Sequence, residues 1–268
     1  MLYYKTYEVS PDADWVVFIH GAGGSSSIWF KQIRAFQSDF NLLLIDLRGH
    51  GKSATRSVKN LWNDQYTFEK VTKDIIEVLD HIQLPPAHFM GVSLGTILAR
   101  QLAEMEPRRV KSLVMAGAVT RLNFTSRLLV FLGNTFKSIL PYMWLYRLFA
   151  FVIMPRKGHA EGRNLFVREA KRLCQKEFIR WFKLTKDVNP LLRYFKEKDL
   201  GIPTLYVMGE EDLMFLEPVK KIVKEHRRVV LHVIEKCGHV VNVERPEEFN
   251  EVALKFLLQH TDSRLSGA

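Results

Sequence analysis

Six short runs of branched and aromatic residues recur along this chain, most closing on a glycine or a polar residue, and they alternate with stretches of helical spacing. They fall at 16–19, 42–45, 87–90, 112–115, 205–208 and 229–234. Runs so uniformly apolar predict strands buried on both faces, and that constrains the fold strongly. Parallel strands need a crossover between them, so the expected architecture is α/β, a mostly parallel sheet with helices on both faces. Residues 6–9 alternate as an edge strand would. At 268 residues, one domain with a sizeable core is expected, with room for an insertion.

In such a sheet, chemistry gathers where strands end. The third run leads into Gly91-Val92-Ser93-Leu94-Gly95, and an Ala/Leu/Ile-rich helical stretch follows until Pro107. A serine between two glycines at a strand-to-helix turn has its hydroxyl forced outward, and the small flanking residues leave space for the strained backbone. The helix that starts there aims N–H groups and a positive dipole end at any oxyanion formed near Ser93. Such a string means little alone. Three other strand ends add to it: His20-Gly21-Ala22-Gly23-Gly24, Gly209-Glu210-Glu211-Asp212 and Cys237-Gly238-His239. The chain order is serine, acid, histidine.

Together with Asp46-x-Arg48-Gly49-His50-Gly51-x-Ser53 and Glu244-x-Pro246, these pieces resemble the α/β-hydrolase superfamily over nearly the whole chain. The resemblance implies a Ser-His-Asp triad. Ser93 would be the nucleophile, His239 its base, and Asp212 the carboxylate that orients the imidazole. Of the nine histidines only His239 follows the last apolar run and precedes a helix opening at Arg245-Pro246. His20 is its nearest rival and reads as ordering its own loop. The acid is chosen from three adjacent carboxylates, and the glycine-x-x-aspartate spacing favours Asp212 over Glu210 and Glu211; Asp46 is an outside candidate. Backbone N–H groups of Ala22 and Leu94 would form the oxyanion hole.

The strand–helix alternation breaks between residues 121 and 198, where the resemblance implies a helical lid between core segments 1–120 and 199–268. Its most apolar part lies between Pro141 and Pro155, too short to span a bilayer and with Arg147 as its single charge. After Gly158 a second helix is expected, carrying Leu165, Phe166, Leu173, Phe178, Trp181 and Phe182. Residues 121–198 hold 17 Lys and Arg against 5 Asp and Glu, a net of +12, whereas the whole chain carries +10. All of the basic excess therefore lies in the lid. A solvated basic face, arginines that clamp a substrate anion, and peripheral contact with an anionic membrane each fit this pattern. Nucleic acid is not an expected partner, because no base-reading motif accompanies the charge.

No side-chain cluster has metal-ligand spacing and no dinucleotide or Walker pattern fits the glycines, so no metal and no cofactor are expected. Cys174 and Cys237 lack paired spacing and the first residues lack a leader pattern, which predicts free thiols and a cytoplasmic setting, with membrane association as an option. The expected activity is a serine hydrolase acting on small-molecule carboxylic esters with apolar acyl groups. Lactone or thioester hydrolysis, a menaquinone-pathway-like lyase taking an anionic substrate, and a ligand receptor or stress-signalling module on the same fold are the alternatives. A serine at the elbow argues against the aspartate-based epoxide hydrolases and dehalogenases. A basic lid argues against an iminopeptidase.

Overall fold

The computed structural model describes residues 1–54 and 66–261. Seven strands form one sheet in the order β1-β3-β2-β4-β5-β6-β7. They are β1 Tyr3–Tyr7, β2 Trp15–Ile19, β3 Asn41–Asp46, β4 Ala87–Val92, β5 Val110–Ala116, β6 Thr204–Gly209 and β7 Val229–Ile234. Only β1 runs antiparallel, beside β3; every other pairing is parallel. All six expected runs are strands, but the last, β7, lies at the free edge of the sheet and is only partly buried, with Val230 exposed, so the two-sided burial expected of it is not met. The edge strand lies a few residues earlier than its alternation predicts, with Tyr3 paired to Asp46 and Tyr7 to Leu42. Long-range hydrogen bonds help fix that register: the Tyr3 N–H donates to Ser53 Oγ, and the Val9 N–H to Asn41 Oδ1.

Successive strand residues point to opposite faces, so each inner strand feeds two cores at once. Val17, Ile19, Phe89, Leu113 and Met208 join one core, under α2 (Phe68–His81), α3 (Leu94–Met105) and α9 (Leu216–Glu225). Val16, Phe18, Met90, Val114 and Val207 join the other, under α1 (Phe30–Phe36) and α11 (Pro246–Leu258), with the short α10 (Val241–Glu244) leading into α11. Fully burying aliphatic or aromatic side chains is worth about 1.5–3 kcal/mol each. The two-sided runs are therefore the main source of stability.

Between β5 and β6 come five helices and no strand: α4 Phe124–Phe136, α5 Tyr142–Ile153, α6 Ala160–Ala170, α7 Gln175–Lys183 and α8 Thr185–Glu197. The single helix expected to carry Leu165 to Phe182 is thus two, α6 and α7, with α8 following them. Cys174 and Leu184 mark the breaks, each serving as the cap residue before the next helix. The insert has a small core of its own, made by Leu145, Tyr146, Ala170, Leu173, Phe178 and Phe182. Three of its five acids turn toward the body. Glu169 accepts from Ser25 Oγ at 2.7 Å, Glu177 from the Tyr66 hydroxyl at 2.6 Å, and Glu161 from Lys31 Nζ at 2.7 Å. Trp181 adds an N–H bond of 3.0 Å to the Arg48 carbonyl. Among the described residues, no helix is long and apolar enough to cross a membrane.

Candidate active site

Ser93 sits between β4 and α3 with φ 53° and ψ −119°, a strained conformation for a residue bearing a Cβ. The sequence permits it because the neighbouring glycines let main chains pass at close range. A Cβ on Gly95 would come within 2.2 Å of the Ile19 carbonyl oxygen, and one on Gly91 within 2.5 Å of the Gly95 oxygen. The Ser93 N–H donates to Ala116 O at 3.0 Å, and its carbonyl accepts from the Thr96 N–H and hydroxyl. Thus the backbone is held on both sides of the exposed hydroxyl.

Three residues remote in sequence meet here. His239 Nε2 lies 2.9 Å from Ser93 Oγ, and His239 Nδ1 lies 2.7 Å from Asp212 Oδ2. Asp212 is 1% exposed, and its other oxygen accepts from the Phe215 N–H at 3.2 Å. The Phe215 ring packs on the imidazole with centroids 5.1 Å apart. Donation from Nδ1 to the carboxylate leaves Nε2 with a lone pair toward the serine hydroxyl.

The loop that carries His239 rests on strand ends stripped of side chains. A Cβ on Gly117 would lie 2.2 Å from the His239 carbonyl oxygen, and one on Gly209 would lie 2.0 Å from that of Gly238. Glu244 fastens the loop from outside, accepting from the Gly238 N–H at 2.8 Å and the Val240 N–H at 3.2 Å. His159, from the insert, is fully buried; its ring lies so near Gly238 that a Cβ there would come within 2.8 Å of it. Its Nε2 reaches Glu211 Oε2 at 2.7 Å, and Arg156 pairs with the other oxygen of that carboxylate. Burial works to raise the Glu211 pKa, but these two partners outweigh it and hold the carboxyl below its ordinary value. Sequence reasoning missed both supports. Glu244 carried a signal, because its spacing to His239 belongs to the same family motif, whereas His159 carried none.

The other candidate carboxylates order loops. Asp46 accepts from the Ser26 and Lys52 N–H groups at 2.7 and 2.8 Å, and Glu210 accepts from the Lys236 N–H at 3.1 Å. His20 accepts from the Leu47 N–H through Nε2 at 3.0 Å and donates through Nδ1 to Gly21 O, so it does tie its own loop. His50 does the same next to it, accepting from the Gly23 N–H and donating to Arg48 O, with the two rings 5.1 Å apart. Burial pushes the His20 pKa down, and burial together with His20 pushes that of His50 down to about 3. Neither ring bonds to Ser93.

Ser93 opens into a cavity of about 230 Å³, bounded by Ala22 and Leu94 at its base. Leu94 is the first residue of α3, so its N–H has no acceptor inside the helix. Phe68, Ile97 and Met214 line the cavity from the body; Leu129, Phe149, Phe178 and Trp181 line it from the insert. No Asp, Glu, Lys or Arg is among the lining residues. Among the described residues, no group of three or more His, Cys, Asp or Glu side chains could hold a metal ion. Cys174 and Cys237 are free thiols; Cys237 is fully buried, and desolvation pushes its pKa well above the ordinary thiol range.

Comparison with known proteins agrees with the fold. The 3-oxoadipate enol-lactonase 2 of Acinetobacter baylyi is 26% identical over 248 residues, covering 88% of this chain and 85% of that protein. MenH from S. aureus superposes with a TM-score of 0.81 at 20% identity, over 97% of this chain and 99% of that one. An esterase from Exiguobacterium antarcticum gives 0.79 at 18% identity, over 96% and 95%. The sequence model described as "Alpha/beta hydrolase family" matches residues 16–252. With the sheet order, the serine turn and that match in agreement, the chain is a member of the α/β-hydrolase family.

Proposed function

We infer that this protein is a serine hydrolase for carboxylic esters with uncharged, apolar acyl groups. The observation that carries the reading is the continuous Ser93–His239–Asp212 hydrogen-bonded series opening into a cavity without a charged lining side chain. In this reading Ser93 Oγ attacks the ester carbonyl while His239 Nε2 takes its proton, and Asp212 stabilises the imidazolium that results. The tetrahedral oxyanion is held by the N–H groups of Leu94 and Ala22, aided by the N-terminal dipole of α3. His239 then gives its proton to the leaving alcohol as the carbon–oxygen bond breaks, leaving an acyl-serine. Water, deprotonated by the same imidazole, releases the acid and restores the hydroxyl.

The uncharged lining weighs against the lyase alternative, which would need a cation beside the serine to hold an anionic substrate. A lactone is an internal ester and would pass through the same steps; the lactonase relative favours it as a second reading. A fluorophosphonate probe should label Ser93 in the native protein. Activity on p-nitrophenyl esters should rise from acetyl to medium-chain acyl groups and fall by about four or more orders of magnitude in Ser93→Ala. Retained turnover in that variant, or a preference for anionic acyl groups, would defeat the assignment. A biological role that survives Ser93→Ala while turnover disappears would instead make the protein a ligand receptor.

A further inference from the structure

Sixteen large hydrophobic side chains are exposed among the described residues, and nine of them lie within 124–151. Phe124, Leu128 and Phe131 are spaced i, i+4, i+7 on α4, and Trp144, Leu148 and Phe151 repeat that spacing on α5. Ile139 and Leu140, in the short link between the two helices, are exposed as well. The exposures are far above incidental, at 82% for Phe124, 75% for Ile139 and 68% for Trp144. Each stripe lies opposite a face that is already occupied, since Leu129 and Val130 of α4, and Tyr146, Phe149 and Ile153 of α5, line the Ser93 cavity. A helix apolar on both faces needs a second apolar partner.

Charge identifies that partner. Residues 121–160 contain six Lys and Arg and no Asp or Glu. Between α5 and α6, a surface hollow next to Phe151 is edged by Arg147, Arg163, Arg168 and Lys171, again with no acid in its lining. Pairing this face with a second copy of itself would set cations against cations. An anionic partner with an apolar interior satisfies both features. We propose that the outer faces of α4 and α5 dock on an anionic lipid bilayer, with Phe131, Trp144 and Phe151 entering the headgroup–acyl boundary and the α5–α6 hollow receiving a lipid phosphate. The helices that roof the cavity are then the ones in contact with lipid, so an apolar ester can pass from the bilayer toward Ser93 without crossing bulk water.

Docking can be measured without turnover, so its failure and that of the hydrolase reading are separable. The full chain would be sedimented with vesicles of phosphatidylcholine alone and of phosphatidylcholine with phosphatidylglycerol at roughly 3:1. Binding at least about tenfold stronger to the anionic vesicles is expected, weakening as salt is raised. The triple variant Phe131→Glu, Trp144→Glu, Phe151→Glu and the charge variant Arg147→Gln, Arg168→Gln, Lys171→Gln should each lose binding while keeping the parent's unfolding midpoint. Equal or absent binding to both vesicle types overturns the proposal, as does parental binding by either variant. A lipid-independent dimer that the triple glutamate variant abolishes would assign the face to self-association and overturn it too.

Discussion

His20, His50 and His88 are buried, and all three pKa values lie below the ordinary imidazole value, with desolvation as the leading cause. This makes the fold sensitive to acid in a window above carboxylate titration. The sign follows from proton counting. Below 6.5 the unfolded chain takes up protons on these rings while the folded chain does not, so unfolding is favoured as pH falls. For His50, whose folded value is about 3, the penalty has no ceiling until well below pH 5. At about pH 5 that single ring costs about 2 kcal/mol relative to neutral solution, at about 1.4 kcal/mol per pH unit. His20 and His88 add to it in the same direction. The total is a sizeable part of the 5–15 kcal/mol that typically holds a domain together. Urea unfolding at about pH 7.5 and about pH 5 reads the difference, and His50→Gln should shrink it by about 2 kcal/mol while lowering stability at both values. A parent protein equally stable at both, or a His50→Gln variant with the parent's pH dependence, would refute the argument.

Two further outcomes are expected. Removing the Glu244 carboxylate leaves the Gly238 and Val240 N–H groups unpaired on either side of His239; Glu244→Ala should lower kcat on a short ester by about 10- to 100-fold with KM little changed, and Glu244→Gln should recover part of the loss. A purely structural role would instead move the unfolding midpoint and leave kcat per folded molecule intact. Maleimide in native buffer should label the exposed Cys174 and spare the buried Cys237, as peptide mapping by mass spectrometry would register; rapid labelling of Cys237 would contradict its packing.

The inner strands and the serine turn were legible because their signals are local. An apolar run such as 42–45 or a glycine pair about Ser93 reports its own backbone state within a few residues. Asp212 and His239 were legible only through motif order, since nothing near either residue says that the two will meet. Helix breaks in the insert were not legible: Cys174 and Leu184 interrupt a stretch whose periodicity reads as continuous. The position of β1 was missed because it depends on Ser53 and on β3, dozens of residues away. His159 was invisible for the same reason, its partner Glu211 lying 52 positions along the chain. Composition placed the basic excess in the insert but could not say that three of its five acids, Glu169, Glu177 and Glu161, turn to Ser25, Tyr66 and Lys31.

The bare strand ends beneath the His239 loop have a consequence for how this protein can vary. Gly117 and Gly209 contribute no functional group, yet a single methyl on either would collide with the main chain at Gly238 and His239. Changes that displace the His239 ring therefore need not alter charge, polarity or any atom that touches it. Any larger residue at either place must move the whole histidine turn, so the floor below the cavity is held by main-chain contacts that the chemistry of its side chains does not reveal.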